Sequence, residues 1–135
     1  MSEHEELKEI ASIVREVLIN FQNSSGGVLI LTNFSLTAGQ WDPAAPDGVP
    51  QQGHQVEPGQ SPTWGNATGT PFTGVAGRMT FILNDVTVTV TWTWAYGAVP
   101  TADVSVIGSS TLTASVALAN RTSSVVTATV QLSGS

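Results

Sequence analysis

Residues 86 to 94, VTVTVTWTW, alternate without a break between apolar and hydroxyl side chains. Period two places Val86, Val88, Val90, Trp92 and Trp94 on one face of a strand and Thr87, Thr89, Thr91 and Thr93 on the other. Nine residues of this pattern commit the chain to a sheet with one covered face. Three valines make an ordinary core stripe. Two tryptophans at the strand's end, then Tyr96 and the turn residue Gly97, put a large aromatic area where strands run out into loops. That cluster is either the lid of the core or a surface made to touch something.

The same period recurs along the chain. Val17, Ile19 and Phe21 alternate with polar neighbours until the turn-forming run Asn23 to Gly27. A second strand is expected from Val28 to about Leu36, with Val28, Ile30 and Phe34 on one face and Leu29 and Leu31 on the other, so covered on both sides over part of its length. Arg78 to Leu83, a turn at Asn84-Asp85 and Val86 to Trp94 read as a hairpin, and Ala102 to Ile107 as a further strand. A last hairpin has Leu112, Ala114, Val116 and Leu118 inward, a turn over Asn120 to Ser124, and Val126, Ala128, Val130 and Leu132 inward on return. Residues 37 to 77 hold six of the seven prolines. Each lacks a donor and fixes φ, so this stretch is expected as long loops with one short strand near Gln52 to Val56. Seven or eight strands without a βαβ signal predict an all-β fold, a two-sheet antiparallel β-sandwich.

Ahead of it, Ser2 and Glu5 have capping-box spacing, and Leu7, Ile10 and Val14 recur at helical intervals. Residues 3 to about 13 are expected as a short amphipathic helix, giving a helical extension over 1–14 and a single domain over 15–135. The extension's expected role is to pack on the domain; a removable cover or an oligomer contact is the sharper alternative.

Charged residues make up 10% of the chain, well under the ~25% usual for soluble proteins. Lys8, Arg15, Arg78 and Arg121 are its only lysines and arginines, and the formal net charge is -6. No basic patch exists to neutralise a run of phosphates, so nucleic acid is not an expected partner. Attraction to anionic lipid by charge is likewise excluded, leaving neutral headgroups, sterols and aromatic insertion. No cysteine is present, so disulfides and thiolate chemistry are absent. The acidic start MSEHEELKEI is unlike a secretory signal, and synthesis as a soluble, cytosolic chain that acts there or after release is the expectation.

Catalytic groups are sparse. His4 falls in the terminal segment and His54 in the proline-rich loops, and Asp42, Asp47, Glu57, Asp85 and Asp103 are dispersed in turns. His54 and Glu57, three apart, are a weak candidate metal pair. The chain is expected to be no enzyme and to carry no metal or cofactor. Aromatic residues carry more signal. Trp41, Trp64, Trp92, Trp94 and Tyr96 all stand in or beside loops or strand ends, and an apolar body with a hydrogen-bonding handle suits a lipid–water boundary or stacking on sugars. Trp92, sharing parity with the valines, is expected in the core. Trp41, Trp64, Trp94 and Tyr96 are expected at least partly exposed at one end of the sandwich.

The segments REVLINFQNSSGGVLILTNFSLTAGQWDP, VEPGQ, GVAGRMTFIL and VTVTWTWAYGA resemble, in this order, the opening strands, Pro-Gly loop, glycine-containing strand and aromatic-Gly segment of the aegerolysins. The resemblance covers roughly residues 15 to 107. It implies a small acidic β-sandwich that binds membrane lipid, sphingolipid or lipid with sterol, and in some members serves as the binding component of a two-part pore-forming or insecticidal toxin beside a larger perforin-type partner. Trp41, Trp92 and Tyr96-Gly97 are similar in place to that family's aromatic positions. The sequence departs from the family at Val75-Ala76 and Ala95, so no specific headgroup contact carries over. Two other functions fit the aromatic residues, a carbohydrate-binding module and a self-assembling structural protein whose aromatic cluster and helix form homo-oligomer contacts.

Overall fold

In a computed structural model, which describes residues 13–108, 111–120 and 123–134, the chain forms ten strands. They are β1 (Arg15–Ser25), β2 (Leu29–Ala38), β3 (Gln40–Trp41), β4 (Gln55–Val56), β5 (Thr63–Thr68), β6 (Val75–Leu83), β7 (Val86–Trp94), β8 (Thr101–Ile107), β9 (Thr113–Ala119) and β10 (Val125–Gly134). One sheet runs β3-β5-β1-β10-β9 and the other β4-β2-β6-β7-β8. The expected helix over 3 to about 13 lies almost wholly outside the described residues, as does part of the expected turn at 120 to 124.

The two sheets face each other as a sandwich. Its core takes the inward stripes of both: Val17, Ile19 and Phe21 from β1, Met79 and Phe81 from β6, Val88 and Val90 from β7, Ala128, Val130 and Leu132 from β10. All ladders are antiparallel except one. β1 and β10 pair in parallel, from Glu16 opposite Val125 to Ser25 opposite Gly134. Parallel neighbours need a long crossover, and almost the whole chain lies between these two, so the expected two-sheet sandwich is present with one mixed sheet, parallel at this pair.

β2 also departs from expectation. Its pairing with β6 shifts register between Leu31 and Asn33, and the Thr32 hydroxyl donates to the Thr80 carbonyl there at 3.2 Å. An extra residue inverts side-chain parity. Leu29 and Leu31 therefore point inward before the bulge and Phe34 and Leu36 pack on the core after it, while Val28 and Ile30 face out. The apolar residues on both parities reflect one buried face and a switch, not a strand covered twice.

β5 was hidden among the prolines. It lies between β1 and the two-residue β3, and the chain after β3 continues along its edge, with Asp42 N–H donating to the Gly65 carbonyl (2.8 Å) and Asp47 N–H to that of Thr63 (2.9 Å). Asn66 of β5 is fully buried and joins three segments. Its Oδ1 accepts the Trp92 Nε1–H from the opposite sheet at 2.9 Å, and its Nδ2 donates to the Ala38 and Gln40 carbonyls, each at 3.2 Å. Two glycines clear the space. A Cβ on Gly77 would meet the Trp92 ring at 2.8 Å and the Leu36 side chain at 2.5 Å, and one on Gly39, whose φ is +79°, would meet Asn66 Nδ2 at 2.8 Å.

Beside this junction the Glu16 and Asp42 carboxyls meet over Gly65, where a Cβ would overlap Glu16 and touch Asp42. Both residues are buried. Asp42 Oδ1 accepts the Ala44 N–H at 2.9 Å, whereas Glu16 Oε2 has no donor. Burial first, then hydrogen bonding to Asp42 and its charge, push the Glu16 pKa up to about 8. The Glu16 carboxyl is thus held protonated well above the usual carboxylate range, beside Asp42.

Two outcomes are expected. Asn66→Leu orphans the buried Trp92 N–H and two carbonyls, and should cost at least about 2 kcal/mol in denaturant unfolding; Gly77→Ala should cost about 1–3 kcal/mol through overlap with Trp92 and Leu36. Between pH 4.5, the ordinary Glu value, and about 8 the native state keeps a proton that the unfolded chain has lost. This group's contribution to stability should therefore fall as pH rises through that window and level off above it, and Glu16→Gln, which cannot ionise, should flatten that fall in urea titrations from pH 5 to 9.

Candidate functional site

The aromatic residues separate into an inner and an outer group along β7. Trp92 is the inner member, 3% exposed and tied to Asn66. The Trp41 ring stands edge-on to it at 6.0 Å and edge-on to Phe34 at 6.1 Å. Trp41 is half-buried, so it caps Trp92 while keeping part of its surface at the boundary.

Two residues further on, Trp94 begins the outer group. Its indole N–H donates to the Ala98 carbonyl (3.1 Å), and Ala98 N–H donates to the Ala95 carbonyl (3.0 Å), closing a tight turn in which Gly97 takes a φ of +80°. Glycine meets that left-handed conformation without the steric cost of a Cβ. The turn presents Tyr96 at its tip, 56% exposed, and the same loop leaves Val99 67% exposed.

A neighbouring loop supplies a residue that sequence reasoning passed over. Thr73 N–H donates to the Thr70 carbonyl at 3.3 Å, and this turn lifts Phe72 out until it is 73% exposed. Phe72 and Tyr96 meet edge to face with ring centroids 5.0 Å apart. The two loops lie side by side because Gly74 has no side chain: a Cβ there would stand 2.6 Å from the Trp94 carbonyl. A large apolar residue enclosed by turn formers, Pro71-Phe72-Thr73-Gly74, was the available signal.

Arg15, the first residue of β1, reaches into the same group. Its guanidinium carbon lies 5.9 Å from the Trp94 ring centroid and 5.7 Å from that of Tyr96, and Nη1 donates to the Thr73 carbonyl. Register explains the meeting. Arg15 pairs with Thr68, the last residue of β5, and Trp94 with Val75, the first of β6. The start of β1, the end of β7 and the β5–β6 loop thus converge at one end of the sandwich.

Trp64 is not there. It is 1% exposed, so its expected partial exposure is corrected. It belongs to β5 rather than to a loop, pairs with Ile19, and packs against Phe81 (6.2 Å) and edge-on to His54 (5.5 Å). Asp47, His54, Gln55 and Gln60 line an open polar groove near it, by the Thr63 end of β5 and away from the Arg15 end.

No family model matches the chain, and no curated protein matches it. Solved structures do. IP-1A from Alcaligenes faecalis superposes with a TM-score of 0.71 at 11% sequence identity, over 91% of this chain and 93% of that one. A lipid-binding protein, Nakanori, superposes with a TM-score of 0.70 at 12% identity, over 97% of this chain and 77% of that one. The chain shares its β-sandwich fold with both.

Proposed function

We propose that this protein is a non-catalytic membrane-lipid-binding protein that docks on bilayers with the end bearing Phe72, Trp94, Tyr96 and Val99. The observation that carries the reading is the exposed Phe72–Tyr96 pair, raised on two loops that are held together by the close approach at Gly74. Side chains of this kind with no structural load to bear suit the interface between water and hydrocarbon. Burying such a side chain in lipid gains about 1–3 kcal/mol. Two or three acting together give reversible attachment without basic residues.

The fold shared with a lipid-binding protein supports this reading, as does the order of aegerolysin-like segments in the sequence. Within it, sphingolipid or sterol-containing membranes are the proposed targets. Service as the binding half of a two-part pore-forming or insecticidal toxin, beside a larger perforin-type protein, is the proposed biological setting. In that setting the protein meets its target membrane after release. The edge-to-face Phe72–Tyr96 pair, 76° between ring planes, is a poor flat platform for a sugar ring, which disfavours the carbohydrate-binding alternative.

Co-sedimentation with vesicles of phosphatidylcholine, with and without sphingomyelin and sterol, tests the proposal. Wild-type protein should bind at least one composition with a blue shift of tryptophan emission. Phe72→Ala and Tyr96→Ala should each weaken binding about three- to tenfold while leaving the melting temperature nearly unchanged. Failure of the wild type to bind any of these vesicles would reject the reading.

A further inference from the structure

Arg15 is an unusual residue to find among exposed aromatics in so acidic a chain. Of the four lysines and arginines, Arg15 and Arg78 fall within the described residues, and Arg78 sits mid-strand on β6, opposite Ser35 and Thr91. Among the described residues, the positive charge at the aromatic end is therefore that of Arg15. Among the described residues its partners are the Thr73 carbonyl and the rings of Trp94 and Tyr96, and none of these is an anion. A guanidinium has five N–H donors in a planar fork. One is taken by Thr73, and the rings attract the charge through their quadrupoles without supplying lone pairs.

From this arrangement we infer that Arg15 is the phosphate-recognising residue of the docking end and takes the phosphodiester of a zwitterionic lipid headgroup in a bilayer. The inference rests on the lipid-docking reading above and adds the chemistry of the headgroup. Three observations support it. Arg15 is half-buried beside the protruding Phe72 and Tyr96. With those rings seated at the boundary of headgroups and acyl chains, its guanidinium reaches the level of the phosphates. The fork matches two phosphate oxygens, and such charge-assisted pairs are the stronger class of hydrogen bond. A net charge of -6 opposes approach to an anionic surface, whereas a zwitterionic headgroup offers its phosphate on a neutral membrane.

Vesicles of two kinds separate this site from general lipid affinity: phosphatidylcholine with sphingomyelin, and a phosphate-free pair, digalactosyldiacylglycerol with glucosylceramide, both with equal sterol. Wild-type protein should bind the phospholipid vesicles about tenfold or more tightly than the glycolipid ones. Arg15→Gln should lose about tenfold on phospholipid vesicles only, and Arg15→Lys should recover part of that loss. Tyr96→Ala should weaken binding to both kinds. Equal wild-type binding to the two kinds, or undiminished phospholipid binding by Arg15→Gln, would overturn the role of Arg15 and leave lipid docking intact. Absence of wild-type binding to either kind would remove the docking reading and this site with it. Thermal melting checks that the variants fold, and if Arg15→Gln does not, the wild-type comparison of the two lipids and the Arg15→Lys variant decide.

Discussion

The hydrogen bond from the Trp92 indole to the Asn66 side chain is the contact on which the aromatic end of the molecule depends. It crosses the sandwich, from β7 in one sheet to β5 in the other, against the apolar core cluster that includes Trp92. In such surroundings an unpaired N–H or amide is costly, so each group is stable only while the other is in place. Asn66 also holds the carbonyls of Ala38 and Gln40, and so sets where β3 begins and where Trp41 comes to lie against Trp92. The glycines at 39 and 77 follow from this junction, since a methyl group at either would occupy the space of Asn66, Trp92 or their neighbours.

Everything outside that junction can be irregular because the junction is not. Trp41 caps Trp92, and two residues on, Trp94 anchors a turn through its bond to Ala98. The Phe72 loop leans on that turn at Gly74, and Arg15 spans both. Exposed aromatic rings gain from being held on a rigid base, since a side chain already ordered has less freedom to lose when it meets a membrane or any other partner. The Glu16–Asp42 pair lies in the same base: two carboxyls are buried side by side over Gly65, and burial keeps Glu16 protonated above the usual carboxylate range.

Where a strand buries a single face, its place in the fold was legible in the residues. β7 follows its alternation from Val86 to Trp92, the hairpin to β6 turns at Asn84 with φ of 54°, and β10 buries Val126, Ala128, Val130 and Leu132. Where burial on two sides or a bulge intervened, the pattern misled. TWGNAT of β5 shows no apolar alternation because Trp64 is followed on the inward parity by the polar Asn66, bonded to Trp92, while Gly65 between them lies under Glu16 and Asp42, and its residues from Trp64 to Thr68 are all buried. That is why Trp64 read as a loop tryptophan. Phe34 read as a partner of Val28 and Ile30 because nothing local announces the bulge at Thr32. Tyr96 and Trp94 stood out from their place at a strand end, while Phe72 and Arg15 did not, since each gains its meaning from residues distant in the chain.

The sequence by itself determined an all-β chain with a Val-rich core stripe alternating with threonines, little positive charge and aromatic residues gathered where β7 ends, because period, composition and turn chemistry act over a few residues. Tertiary structure decided which aromatics share a surface. Register between β1 and β5 delivers Arg15 to the loop of Phe72, and register between β6 and β7 delivers Trp94 and Tyr96 to the same place. Long-range pairing of that kind depends on which side chains fit across the sandwich, Asn66 with Trp92 above all, and no local window of the sequence contains both partners.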